Sequence, residues 1–89
     1  MIARRLVVRG RVQGVNYRGW LGDRAAARGV VGWAENRADG TVEVWLQGAA
    51  DAVAAAERLA GEGPPHARVD GVEADDTAPR SGLDGFARR

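Results

Sequence analysis

The 89-residue sequence contains no cysteine and a single histidine. A disulfide framework, a thiolate-bound metal and a thiol nucleophile are therefore excluded, and a His-rich metal cluster is out of reach. Lysine is absent too, so all 13 basic residues are arginine. With Ala and Gly abundant, this reads as compositional bias of the source rather than as a functional signal. Aromatics are few: three Trp, one Tyr and one Phe. No apolar run approaches the roughly 20 residues of a membrane span. The N-terminus, which begins with Met, lacks the layout of a secretory signal. A complete cytoplasmic protein with no membrane partner is the expectation.

What is present suits one domain over residues 1–89 with a modest core. The net charge is only +1, but it is unevenly spread. Residues 1–30 hold seven Arg against Asp23 alone, a net of +6, and residues 31–89 hold six Arg against eleven acids, a net of −5. A chain nearly neutral overall and basic in its first third suits a small anionic ligand better than a long polyanion.

Periodicity supplies the elements. Residues 4–12 alternate as a strand, with Leu6, Val8, Gly10 and Val12 on one face and Arg5, Val7, Arg9 and Arg11 on the other. A polar turn over Gln13–Asn16 follows. A helix fits Tyr17–Arg28, with Tyr17, Leu21, Ala25 and Ala26 on its inner stripe, Trp20 beside them and Gly29 as its stop. Residues 30–36 and 41–47 form two strands of an antiparallel hairpin around Arg37-Ala38-Asp39-Gly40. In the second of these strands Val42, Val44 and Leu46 alternate with Thr41, Glu43, Trp45 and Gln47. Asp51 suits the N-cap of a helix reaching Ala60, with Val53, Ala56, Leu59 and Ala60 inward. Gly61, Gly63, Pro64 and Pro65 end it. A fourth strand over 67–74, a polar loop over 75–85 and a short edge strand over 86–88 complete the chain. The order β-α-β-β-α-β predicts an α+β ferredoxin-like sandwich: a four-stranded antiparallel sheet with both helices on one face and a short extra C-terminal strand.

The stretch Gly10-Arg11-Val12-Gln13-Gly14-Val15-Asn16-Tyr17-Arg18 stands out. A strand feeds a turn and the turn feeds a helix, whose N-terminal N–H groups lack intrahelical partners and carry the positive end of the helix dipole. Gly14 allows a sharp turn, and Arg18 adds a charged fork that fits two phosphate oxygens. By spacing alone this is either an anion cradle or an ordinary turn followed by a surface arginine.

Two longer patterns bear on that choice. Val8-Arg9-Gly10-Arg11-Val12-Gln13-Gly14-Val15-Asn16-Tyr17-Arg18 resembles V-x-G-x-V-Q-G-V-x-F/Y-R, the first signature of the acylphosphatase family. Gly29 to Glu43, with Gly32-Trp33-Ala34-Glu35-Asn36 and Asp39-Gly40-Thr41-Val42-Glu43, resembles its second. Gly48, Gly63-Pro64-Pro65 with Ala67 and Val69, and Gly85-Phe86 followed by Arg88 resemble further family positions. The match spans nearly the whole chain, and Tyr17 departs only in replacing the more usual Phe. The resemblance implies the ferredoxin-like fold and hydrolysis of acyl phosphates without metal, cofactor or covalent intermediate. It implies that Arg18 binds the phosphoryl group and that Asn36 positions the attacking water. Backbone N–H groups of Gln13, Gly14, Val15, Asn16 and Tyr17 would complete the phosphate cradle with Arg18.

The residue types suit that chemistry. A carboxylate is a weak base and leaves without a general acid. Asn36 cannot act as a base, but its amide can orient water by hydrogen bonds. Arg18 and the turn N–H groups would stabilise charge on the phosphoryl oxygens, and phosphoryl transfer asks little more of a protein. Phosphate monoesters, with poor leaving groups, should react slowly. The expected partner is a small acyl phosphate, with inorganic phosphate and other small anions as inhibitors, no nucleic acid, and a monomeric state. Asp39-Gly40 is expected to be structural, Trp33 and Trp45 to pack, and His66 to be a solvated loop residue. The alternatives are a nucleic-acid binder on the same fold, for which the exposed aromatic pattern of RNA-binding sheets is missing, and a module that binds phosphate without turnover.

Overall fold

A computed structural model describes all 89 residues. The elements are β1 (Ile2–Arg11), α1 (Tyr17–Ala27), β2 (Val31–Asn36), β3 (Val42–Gly48), α2 (Ala50–Glu62), β4 (Arg68–Thr77) and β5 (Phe86–Arg88). They form one sheet in the order β4-β1-β3-β2-β5. β1 runs antiparallel to β3 and β4, β2 antiparallel to β3, and β5 parallel to β2. The expected ferredoxin-like sandwich is what the chain builds, with β5 as the short extra edge.

The alternation explains the layering. Leu6 and Val8 of β1, Ala34 of β2, and Val42, Val44 and Leu46 of β3 share one face. There they meet Tyr17, Leu21 and Ala25 of α1 and Val53, Ala56 and Ala60 of α2 in one continuous core. Ala26, expected on the inner stripe, is exposed; the stripe is narrower because the sheet lies under every third or fourth residue only. The inward set of α2 holds, with Leu59 half-buried at its margin. Its N-cap is Ala49, however, and Asp51 lies inside the first turn. The Asp51 carboxylate there accepts from the Ala52 N–H at 2.9 Å and complements the positive helix end.

β4 runs three residues past its expected end. Asp75, Asp76 and Thr77, read as loop, pair with Arg5, Arg4 and Ala3. Polarity there marks an edge strand, not a loop: the acids stand opposite arginines, and Arg4 Nε donates to Asp76 Oδ1 at 3.0 Å. Arg4 also donates to Glu57 of α2 at 2.8 Å, joining helix to sheet.

The other face of the sheet carries Ala3, Trp33 and Trp45 beneath Leu83. The two indoles stack with ring centroids 5.0 Å apart, and the guanidinium groups of Arg80 and Arg89 lie over them. They are 3% and 4% exposed, so they pack and offer no stacking platform. Gln47 pins the connecting loop: its Nε2 donates to the Arg80 carbonyl at 2.8 Å, and its Oε1 accepts from the Arg80 N–H at 2.9 Å and from Trp45 Nε1 at 3.0 Å.

Candidate active site

β1 and β4 lose register between Arg9 and Gly10. Gly10 sits there at φ 127, where a side chain would run into the Arg68 carbonyl. Such a bulge re-aims the end of a strand. Val12, buried, then anchors the start of the turn.

Within the turn, Gly14 (φ 76) and Asn16 (φ 62, ψ 29) both adopt left-handed backbone, and Asn16 is the one non-glycine residue in the chain to do so. Asn tolerates that region better than most residues because its short amide interacts locally. Left-handed residues separated by one of ordinary φ turn successive N–H groups toward a concave side, the geometry of an anion nest. None of the N–H groups from Gln13 to Asn16 donates to a backbone or side-chain acceptor of the chain. The first backbone bond of the adjoining helix is Trp20 N–H to the Asn16 carbonyl, at 3.0 Å, so the opening turn of α1 adds its own free donors and its positive end.

A cavity of about 90 Å³ opens here, and its walls include Gly14, Asn16, Tyr17, Arg18, Asn36 and Arg88. Arg18 and Asn36, 18 positions apart in sequence, therefore meet. Asn36 ends β2 opposite Val42 and is exposed, with no hydrogen bond from its amide to the chain. Arg18 is half-buried and pairs with no Asp or Glu side chain. Its Nη1 donates to the main-chain oxygen of Arg89 at 2.5 Å, while the Arg89 N–H donates to the Ala34 carbonyl at 2.8 Å. The C-terminal strand thus aims Arg18 by one arm and leaves its remaining donors free.

Gln13 and Val15 are not walls of this cavity. Gln13 turns its side chain to the β2–β3 hairpin, where Nε2 donates to the carbonyls of Arg37 (2.8 Å) and Thr41 (2.9 Å). Val15 is half-buried against the core. Tyr17 is 1% exposed, and its hydroxyl donates to the Ala60 carbonyl at 2.6 Å. That carbonyl belongs to the last turn of α2, where intrahelical donors run out, so the extra hydroxyl of Tyr17 has a partner that Phe would not reach. Burial pushes the hydroxyl pKa up, which keeps it a donor.

The hairpin beside Asn36 is braced locally. The Asp39 carboxylate accepts from the Thr41 hydroxyl at 2.6 Å and from its N–H at 3.0 Å, and the Thr41 hydroxyl holds the carboxyl pKa below its ordinary value. Asp39-Gly40 is thus structural, and His66 is exposed in its loop. The residues missed by sequence reasoning are those acting through long-range side-chain geometry: the Gln13 amide as a brace, the Arg89 main-chain oxygen as a guide for Arg18, and Arg88 as a cavity wall. The only signal pointing toward the last two was the closing Gly85-Phe86 pattern.

The acylphosphatase family model matches residues 4–88 of this chain. The chain belongs to the acylphosphatase family. It is accordingly a hydrolase acting on acid anhydrides. It is similar to the acylphosphatase of Acidovorax sp. (strain JS42), with 49% identity over 88 residues covering 99% of this chain and 90% of that one. The acylphosphatase of Rubrobacter xylanophilus is 47% identical over 85 residues, covering 96% and 77% of the two chains. The crystal structure of the Bacillus subtilis acylphosphatase superposes with a TM-score of 0.95 at 30% identity, over 100% of this chain and 99% of that one.

Proposed function

We propose that residues 1–89 act as one domain that hydrolyses the carboxyl–phosphate bond of small acyl phosphates without metal or cofactor. The observation that carries this reading is the single cavity shared by Arg18, Asn36 and a turn of unpartnered N–H groups. The free donors of Arg18 and the N–H groups from Gln13 to Tyr17 hold the phosphoryl oxygens and stabilise their charge as the bond breaks. The Asn36 amide orients water for in-line attack on phosphorus. The oxygen of that water bonds to phosphorus, the bond to the acyl oxygen breaks, and the electron pair leaves with the carboxylate. One water proton passes to a phosphoryl oxygen of the substrate, so no protein base is required. Inorganic phosphate, the product, competes for the same donors. The protein works as a cytoplasmic monomer; no helix in it is long and apolar enough to cross a membrane.

Benzoyl phosphate hydrolysis, followed by ultraviolet absorbance with chelator present, tests the reading. Arg18→Ala and Asn36→Ala are each expected to lower kcat/KM by roughly 10²–10³, the usual effect of removing one transition-state donor. p-Nitrophenyl phosphate should turn over poorly. Full activity in either variant removes that residue from the mechanism, and a folded wild type that does not hydrolyse benzoyl phosphate refutes the whole reading.

A further inference from the structure

The phosphate-sized cavity does not end at Arg18. A second, larger cavity of about 360 Å³ shares Asn16, Arg18, Gly19 and Arg88 with it and runs on along α1 past Gly22, beneath Phe86. Whatever is bonded to a phosphoryl group held over the turn has this groove to occupy. Arg88 lies at the junction. Its guanidinium rests on the first turn of α1, so close to Gly19 that a methyl group there would meet Nη1 at 2.6 Å. The position is fixed from below: Arg88 pairs with Ala34 at the parallel β5–β2 edge, and β5 alternation sends Arg88 and Phe86 to the helix side and Ala87 to the other.

The Arg88 side chain makes no salt bridge and no hydrogen bond within the chain, whereas Arg4, Arg5, Arg9 and Arg68 face acids. It sits beside a second guanidinium, Arg18, and over the positive end of a helix. Asp23 also lines the groove yet pairs with neither arginine. A phosphoryl group held over the turn engages Arg18 and the turn N–H groups and leaves the Arg88 guanidinium without an anionic partner. The arrangement is balanced by a ligand with a second negative charge a short way from the first.

We propose that Arg88 is a specificity-determining residue, and that the groove takes the acyl part of acyl phosphates carrying a second anionic group, a carboxylate or phosphate. The inference rests on the acyl phosphate hydrolysis proposed above and narrows its substrate class. Arg88 binds the remote anion and takes no part in bond breaking.

The test compares benzoyl phosphate with 4-carboxybenzoyl phosphate, in which the carboxylate is held too far from the reacting carbonyl to cyclise onto it. The wild type should show a KM about 10-fold lower for the carboxylated compound, the size of effect a charge-assisted hydrogen bond commonly has. Arg88→Gln should raise that KM about 10-fold with kcat retained, raise the KM of benzoyl phosphate by a clearly smaller factor, and keep its fold by circular dichroism. Arg88→Lys should restore part of the preference, and added salt should erode it. Equal KM values for the two substrates in the wild type overturn the proposal. So does an Arg88→Gln variant that loses both substrates equally, which would place Arg88 on the phosphoryl group instead. Because benzoyl phosphate is the internal reference, its hydrolysis without discrimination sinks this inference alone, while failure to hydrolyse either compound refutes the underlying activity and this inference with it.

Discussion

Replacing Gln13 by Met removes the only side-chain brace between the turn over residues 13–16 and the hairpin that carries Asn36. The volume is nearly conserved and the two donated bonds are lost, at 2.8 and 2.9 Å. Neither carbonyl is orphaned: Arg37 O still accepts from Gly40 N–H at 3.1 Å, and Thr41 O from Arg37 N–H at 2.9 Å. The penalty is therefore the net value of two bonds without an added desolvation cost, about 1–2 kcal/mol at this partly exposed position. Most of it should fall on the relation between Asn36 and the turn, because residues 36–40 are all exposed and their remaining bonds stay within the hairpin. If half or more of that energy aligns the water, kcat falls about 2–30-fold. KM should change little, since the proposed phosphoryl donors lie on the turn itself. Gln13→Glu should be worse, because a carboxylate would face two carbonyl oxygens. The assay is kcat and KM on benzoyl phosphate beside urea unfolding of each variant. A Gln13→Met protein that loses stability while keeping kcat would show that the brace serves folding only, and a rise in KM at constant kcat would place its role on the phosphate side.

Two further perturbations probe neighbouring supports. Tyr17→Phe deletes the donor to the buried Ala60 carbonyl and should cost about 1–3 kcal/mol in urea unfolding with kcat preserved, and an unchanged unfolding midpoint would show the bond to be dispensable. Because burial raises the Tyr17 pKa above its ordinary 10.0, the folded protein favours the neutral phenol. That contribution is present below pH 10 and is lost as pH rises beyond it, so wild-type stability should fall with alkali more steeply than that of Tyr17→Phe. For Asp39 the sign reverses. Its carboxyl is held below the ordinary 3.8 by the Thr41 hydroxyl, so the bracing is present above pH 3.8 and is lost as pH falls through the folded value. Thr41→Val should move the Asp39 titration, followed by NMR, back toward 3.8, and an unmoved titration would rule out the hydroxyl as the cause.

Much of this protein is readable along the chain because its strands bury one face against helices. Period-two alternation in residues 42–46 and the stripe Tyr17, Leu21, Ala25 each report directly which side meets the core. The errors fall where burial stops governing. Asp75 to Thr77 look like loop because an edge strand opposite Arg4 and Arg5 is selected for charge and not for apolar alternation. Ala26 looks inward because alanine is indifferent to exposure, and Asp51 looks like a cap because its side chain serves equally well inside the first turn. Local pattern has no way to separate those cases.

The candidate site divides along the same line. The strand–turn–helix segment is local, so glycine placement and the helix N-terminus are visible in nine consecutive residues, while the left-handed backbone of Asn16 emerges only in the fold. Its geometry, however, depends on three connections between segments far apart in sequence: Gln13 to residues 37 and 41, Arg18 to residue 89, and Arg89 back to Ala34. Each ends on a main-chain oxygen, which every residue possesses, so no side-chain pattern at the receiving end could announce it. This also explains why a strand of only three residues matters. Without β5 paired along β2, Arg18 would have no main-chain oxygen to aim it, and Arg88 would not stand over the first turn of α1. A parallel three-residue edge is weak by itself. Here it is reinforced from both faces, by Phe86 packed on the core and by Arg89 over the Trp33 ring at 4.1 Å. The Trp pair on the face away from the helices therefore acts on the site at a distance, by fixing the strand that supplies the main-chain oxygen for one guanidinium and carries the other.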